Sequence, residues 1–566
     1  MQLSSKAIYT ALFLSSLSIA HGDNESIGMG MDMHATSSAG SPTASMSQNV
    51  QSEGSTSYFA YGQHSGTIVA HIAFMTLSWC LILPAAVMLS ISRSSLTLPA
   101  HILFLVSNAL GLLFGIIYNS QTPDLYEHNA HHKIGWIVTC AVCVQVFLAW
   151  AFVFPSRSGS KQSQSGTFEH AAFLPIATDE HENRWSRDSG QGTESVSSLR
   201  RPSSATCESQ AEYDGVGECE ELSERPSGPR SRFHMSIVNR LSSNHIRCIL
   251  DGLYNVIDRI ILPFGFIAVA TGAVTYGGIF HGNEIFNGLA HFIKGGIFFW
   301  YGILTLGRFM GAWADLGWAW NKKPPASVVG WKEKVPSGEF VESFVIWLYG
   351  VTNVFLEHLG GKGNEWSAAD MEHVSISIMF FGGGLAGMLF ESRRIRDALN
   401  NTLFQTPTPK AIDENWQPPR SQAISLNPMP ALIILLLGKI MGSHHQDSMT
   451  STMVHKQWGN MLVGFAIARG LTYFLLFLRP PTSYLPARPP TEIVAGFCLM
   501  SGGLIFMLST RQVVEAMEFY ELDAMFTFTV GMGFTAFIMS LVVLNITIKA
   551  WAVKRERAHK GRLFSS

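Results

Sequence analysis

Residues 67–90 read TIVAHIAFMTLSWCLILPAAVMLS, a stretch without a single Asp, Glu, Lys or Arg. As a helix it rises about 36 Å, enough to cross the ~30 Å hydrocarbon core of a bilayer. The run therefore predicts a transmembrane helix. Its one ionisable residue, His71, stands about one turn inside the N-terminal boundary. Ionisable groups cost several kcal/mol in hydrocarbon, so His71 marks a candidate functional position as well as a span.

Outward from this segment the same pattern recurs along the chain. Of 566 residues, 14% are charged and 47% apolar, whereas a soluble chain carries roughly 25% charged residues. Apolar runs lie near Thr67–Ser90, Pro99–Tyr118, Lys133–Phe154, Ile257–Phe280, Gly288–Gly307, Phe340–Leu359, Glu372–Phe390, Pro428–Gly442, Trp458–Leu478, Glu492–Ser509 and Phe526–Thr547. The expected fold is all-α, a polytopic transmembrane helix bundle of about eleven spans. The lipid membrane is its first partner, and a net charge of −2 argues against nucleic acid.

Charge orients the bundle. Arg93, Arg157, Lys161, Arg308, Lys322, Lys323, Arg393, Arg394, Arg479, Arg488 and the tail Lys554-Arg555-Glu556-Arg557 all fall in alternate loops. The remaining loops are nearly free of Lys and Arg, with Lys362 and Arg511 the exceptions, apart from Lys456 at the edge of a span. The positive-inside rule then places the basic loops and the C-terminus in the cytosol. Residues 1–20 have the charged start, apolar core and small-residue cleavage site of a signal peptide. Residues 21–64 become a lumenal or extracellular tail, in the secretory or endomembrane system or at the plasma membrane. Residues 65–155 form a three-helix membrane domain. Residues 156–245, rich in Ser, Glu and Arg, are expected to be a disordered cytosolic insert. Residues 246–553 form an eight-helix membrane domain, and 554–566 a basic cytosolic tail. An amphipathic helix is expected over His234 to Asp258, lying on the inner leaflet.

With this orientation His71, His132, His291, His358, His373 and His455 all fall on the outer side. The order of landmarks around His71 and His132-Lys-Ile-Gly135 recurs around His373 and His455-Lys-Gln-Trp-Gly459. This suggests a duplicated multi-helix unit. Two imidazoles facing each other across a bundle can hold a haem iron. The expected pairs are His71 with His132 and His373 with His455, with Gly111 and Gly115 leaving room for a porphyrin.

The first part of the chain resembles cytochrome b-561-type membrane proteins, whose histidines alternate between sides on four successive helices. His71, His101 and His132 follow that alternation, and His132 to Gly135 repeats the family's His-x-x-Gly. The resemblance implies haem b, electron transfer and an inner-side role for His101. The fourth helix departs from it, with no histidine near Ile257. The chain as a whole resembles the fungal Ytp family in Gly288-Leu-Ala-His-Phe through Arg308, in Met371-Glu-His-Val through Gly384, and in His444-His-Gln446 with His455 and Trp458-Gly459. That resemblance implies a polytopic architecture and leaves the activity open.

A second constellation is methionine-rich. Met29, Met31, Met33 and His34 lie in the outer tail, and His444 and His445 lie between Met441 and Met449. Thioethers are soft ligands that select Cu(I). A third group, Glu357, His358, Asp370, Glu372 and His373, combines carboxylates and imidazoles at one outer corner. No P-loop, nucleophile elbow or zincin motif is present. The leading expectation is a haem-b redox protein, a membrane oxidoreductase or metalloreductase with a small-molecule electron donor. Haem-free copper handling or transport is the alternative, and a structural endomembrane role a third.

Overall fold

The computed structural model describes residues 57–150, 244–282, 284–360, 368–402, 419–443, 446 and 448–564. The expected signal peptide, most of the outer tail and nearly all of the polar insert lie outside the described residues. The chain divides into two units, residues 1–172 with 248–566, and residues 173–247. The membrane-length helices belong to the first.

All regular structure among the described residues is helical. The long helices are α1 (Ser65–Ile91), α2 (Thr97–Gln121), α3 (Ala130–Leu148), α4 (Asn244–Gly277), α5 (Glu284–Met310), α6 (Gly338–Gly360), α7 (Ala368–Glu391), α8 (Met429–Ser443), α9 (Met449–Leu478), α10 (Thr491–Leu508) and α11 (Ala524–Phe564). Among the described residues nine are long and apolar enough to cross a membrane. With α6 and the 15-residue α8 the set matches the eleven apolar runs. The stretch expected to lie on the membrane surface before Asp258 is, from Asn244 onward, continuous with α4.

The helices are built for lipid rather than water. On α2, Ile102, Leu103, Val106, Leu110, Leu113 and Ile116 are exposed, at helical spacing. The opposite face buries Thr97, His101, Phe104, Ser107, Asn108 and Gly111. Polar groups turn inward because hydrocarbon offers them no partner. They are met by α1: Ser78 Oγ donates to Ser107 Oγ at 2.8 Å, and Trp79 Nε1 to Asn108 Oδ1 at 2.9 Å. Such bonds join helices where burial of apolar surface gives no drive.

Within α1, Leu77–Ile82 forms a wide π turn, in which the Leu83 N–H bonds to Ser78 O five residues back. Pro84 follows immediately and has no N–H to continue the ordinary ladder. Elsewhere, backbones meet through glycine. A Cβ on Gly503 of α10 would lie 2.5 Å from the Gly295 oxygen of α5, and one on Gly459 of α9 would lie 2.5 Å from the Gly438 oxygen of α8.

Beneath these contacts lies a buried ion-pair network. Arg308, at the end of α5, bonds Glu339 at 2.7 Å, Glu342 at 2.6 Å and the Trp318 carbonyl at 2.6 Å. Arg469, well inside α9, bonds Glu492 at 2.8 Å and Glu342 at 3.3 Å. Both arginine side chains are 1% exposed. Arg308, read from the sequence as a loop charge, is therefore a core residue. Breaking a buried pair costs about 3–5 kcal/mol, because the partner charge is left uncompensated. Arg469→Gln is expected to lower the thermal unfolding midpoint of the detergent-solubilised protein strongly. Arg511→Gln, which removes an exposed pair with Glu515, should leave it unchanged.

Candidate functional site

His71 occupies the second turn of α1, and its Nδ1–H donates to the Gly111 carbonyl of α2 at 2.8 Å. The ring sits where a side chain at residue 115 would otherwise be, since a Cβ on Gly115 would fall 2.7 Å from His71 Nδ1. On α3 the His131 Nδ1–H donates to the Ala268 carbonyl of α4 at 3.1 Å, with the Thr271 hydroxyl at 3.5 Å. Gly272 makes the same allowance for this ring, a Cβ there lying 3.0 Å from His131 Cε1. The two imidazoles stand 6.3 Å apart between centroids, at 79° to each other.

This corrects the expected pairing. His132 is exposed at the start of α3. Its backbone N–H is capped by Asn129 Oδ1 at 3.1 Å, and the ring beside His71 is that of His131. On a wheel of about 100° per residue, Val138, Val142 and Ala149, all buried, fall within about 20° of His131 and well away from His132. The space expected beside the α2 glycines is also filled. Gly111 packs on the Met75 side chain, and Gly115 on His71 itself.

A second pair lies in the C-terminal domain. His291 of α5 donates from Nδ1 to the Asn287 carbonyl at 2.9 Å, and His455 of α9 from Nδ1 to the Ser451 carbonyl at 2.9 Å. Their centroids are 6.4 Å apart and the rings perpendicular. Phe506 lies 5.4 Å from His291 and stacks on Trp458 at 4.1 Å, and Trp458 lies 5.9 Å from His455. His373, half-buried near the start of α7, and Lys294 are close enough to His291 to act on its charge. The sequence placed His291 among the outer-side histidines without assigning it a ring partner.

The two pairs share one end of the bundle. The Tyr126 hydroxyl, from the α2–α3 loop, donates to the Ile279 and Phe280 carbonyls after α4, at 2.8 and 3.0 Å. Its ring lies 4.2 Å from that of His281, and the Phe280 N–H donates to Gln512 beyond α10. His101 is elsewhere, about 21 Å along α2 from Gly115. It is fully buried, with Nδ1–H donating to the Thr97 carbonyl at 2.9 Å and Nε2 without a hydrogen-bond partner. At that end α4 presents Tyr254, bonded to Ser90 at 2.7 Å, and Asp258, bonded to Gln145 at 2.9 Å.

Met29, Met31, Met33, His34, His444 and His445 lie outside the described residues. Among the described residues no cluster of three or more His, Cys, Asp or Glu is arranged to hold a metal ion. The geometry comes in twos. In each of the four rings a carbonyl engages Nδ1, which fixes the tautomer and leaves Nε2 as the nitrogen that could bind a metal.

Membrane-length helices that turn polar side chains inward and apolar ones outward define an α-helical polytopic integral membrane protein. The chain belongs to the Ytp1-like family. Residues 264–550 match the family model described as "Protein YTP1-like, C-terminal", and residues 52–154 match a domain of unknown function. An uncharacterized membrane protein of Schizosaccharomyces pombe is 34% identical over 510 residues, covering 88% of this chain and 96% of its own. An uncharacterized membrane protein of Saccharomyces cerevisiae is 37% identical over 55% of this chain and 50% of its own. Protein YTP1 of Saccharomyces cerevisiae is 29% identical over 30% of each. No solved structure matches the chain.

The site geometry predicts a reactivity order. When the folded protein in detergent is treated with diethylpyrocarbonate and mapped by mass spectrometry, His132 should be modified early. His101 and His455 should be modified only on unfolding.

Proposed function

We propose that this integral membrane protein is a haem-b redox protein, in which His71 with His131 and His291 with His455 are the residue pairs that would hold the iron. The observation that carries the reading is the spacing of the His71 and His131 rings with their Nδ1 atoms already engaged. Ring centres 6.3 Å apart are close enough that one metal ion could be held between the two imidazoles. The donor set suits one iron, while Met75 and His71 fill the places beside Gly111 and Gly115, so a macrocycle would require those side chains to shift. A haem iron needs only two protein ligands, in keeping with histidines that come in pairs.

Bound haem supplies one-electron transfer. The chain's own residues hold and orient the ligands. The Gly111, Ala268, Asn287 and Ser451 carbonyls accept from Nδ1–H and so raise the basicity of Nε2. Gly115 and Gly272 let the His71 and His131 rings press against neighbouring backbone, so that neither turns freely. The electron donor is a small molecule approaching the histidine end, which charge places on the outer side.

One observation favours a second reading, haem-free copper binding. Met75, one turn beyond His71, packs on Gly111, next to the carbonyl that holds the His71 ring. Two imidazoles and a thioether suit Cu(I), and Met29, Met31 and Met33 in the tail would then collect the ion.

An absorption spectrum with metal analysis on purified protein separates the two. The haem reading expects a reducible Soret band that His71→Ala and His131→Ala each lower by about half and that His132→Ala leaves intact. A colourless sample whose copper is lost in Met75→Ala supports the copper reading. A sample with neither colour nor metal sinks both.

A further inference from the structure

The bundle end opposite the histidine pairs holds five buried ionisable side chains from four helices: Arg308 of α5, Glu339 and Glu342 of α6, Arg469 of α9 and Glu492 of α10. Three carboxylates face two guanidinium groups. With all five ionised, the cluster carries one surplus negative charge inside a membrane-length bundle.

The neighbours do not remove that surplus. Tyr301 and Tyr473 are neutral phenols whose rings lie 6.0 and 5.9 Å from Arg469 Cζ. Thr305 receives an Arg469 N–H at 3.4 Å. Trp320 lies under both guanidinium groups, 4.3 Å from Arg308 Cζ and 5.5 Å from Arg469 Cζ. Beyond Glu339, Glu391 adds a further carboxylate, held by the Ser337 and Ser425 hydroxyls at 2.7 Å each, with Arg396 nearby.

A second, independent observation marks the same place. Glu492 Oε2, the Tyr473 hydroxyl and Trp320 Nε1 are buried polar atoms without a hydrogen-bond partner. Their residues are 0%, 7% and 3% exposed, and all three side chains surround the Arg469 guanidinium. Buried polar atoms are nearly always bonded, and an uncompensated buried charge is strongly disfavoured. A site with surplus negative charge and an undonated carboxylate oxygen is a site for a cation.

We propose that the cluster binds one exchangeable proton, held by the carboxylates of Glu342 and Glu492, the two glutamates that bond Arg469. An O–H bond forms on a carboxylate oxygen as the proton arrives and breaks as it leaves, taking the cluster from −1 to neutral and back. Because α5, α6, α9 and α10 each supply a charged member, occupancy bears on the packing of all four. The proposal is independent of what the histidines hold.

The test is infrared difference spectroscopy of the full-length protein in lipid nanodiscs at neutral pH, in H2O against D2O. The wild type should show a deuterium-sensitive carbonyl stretch of a buried carboxylic acid. E492Q removes the surplus carboxylate, so the remaining pairs balance and that band should disappear. Glu515→Gln, at the exposed pair with Arg511, should retain it. Because Glu342 bridges both arginines, E492Q is the primary variant, with helical content and a single size-exclusion peak as fold controls. Identical spectra for folded E492Q and wild type in this region overturn the proposal. Loss of the wild-type band on adding Na⁺ but not choline would assign the site to a metal cation and overturn it as well.

Discussion

Hydrocarbon offers no hydrogen bonds, and every polar group on these helices has to find its partner within the protein. That requirement sets which way each helix faces. The apolar ridge of α2 turns outward, and its Ser107 and Asn108 turn toward Ser78 and Trp79 of α1. It also sets the state of the imidazoles. Each ring of the two pairs gives its Nδ1–H to a backbone carbonyl, which commits the other nitrogen to a different task. Arg308 and Arg469 obey the same rule at higher stakes, since a guanidinium cannot shed its charge and has to be met by carboxylates.

Much of the architecture was legible because span length and charge placement are one-dimensional signals. The eleven apolar runs fall on eleven helices, and the Ytp likeness read from short motifs agrees with the family match. Which histidines meet was less legible. His131 and His132 are neighbours in sequence but about 100° apart around the helix. In a soluble protein the apolar face would have chosen between them. In α3 both faces are apolar, one for lipid and one for protein, so that cue is lost. Arg469 and Glu492 were overlooked for a different reason. Each lies in or at the edge of an apolar run and was averaged into it, although a lone charge within a span is among the strongest signals a membrane sequence offers. Arg308 was read as topology when its position also served the core. The glycines of α2 were read as open space, but a missing side chain is filled by whatever packs there, here Met75 and His71.

The two chemical regions share α5 and α9. On α9, His455 and Arg469 are fourteen residues apart, about 21 Å along the axis, and α5 joins His291 to Arg308 in the same way. Between them lie Trp458, Phe506, Phe298, Phe465 and Tyr301, in one packed aromatic column. The glycine contact between α5 and α10 holds that column at close range. A change at one end thus has a stiff path to the other, through side chains that have little room to re-pack.

The wide turn in α1 has an evolutionary reading. A π turn amounts to one residue slipped into an α-helix, and it rotates everything before it by about 100° relative to everything after. His71 lies before the turn, and Ser78 and Trp79 lie within it. His71, Met75 and Ser78 share a face at ordinary helical spacing, and the extra residue brings the buried Leu83, Ala86 and Ser90 beyond the turn round to that same face. Homologous chains without the bulge should align with a one-position gap near Leu77–Ile82, and in them the stretch equivalent to Leu83–Ser90 would turn away from the bundle interior unless a second change had restored its bearing.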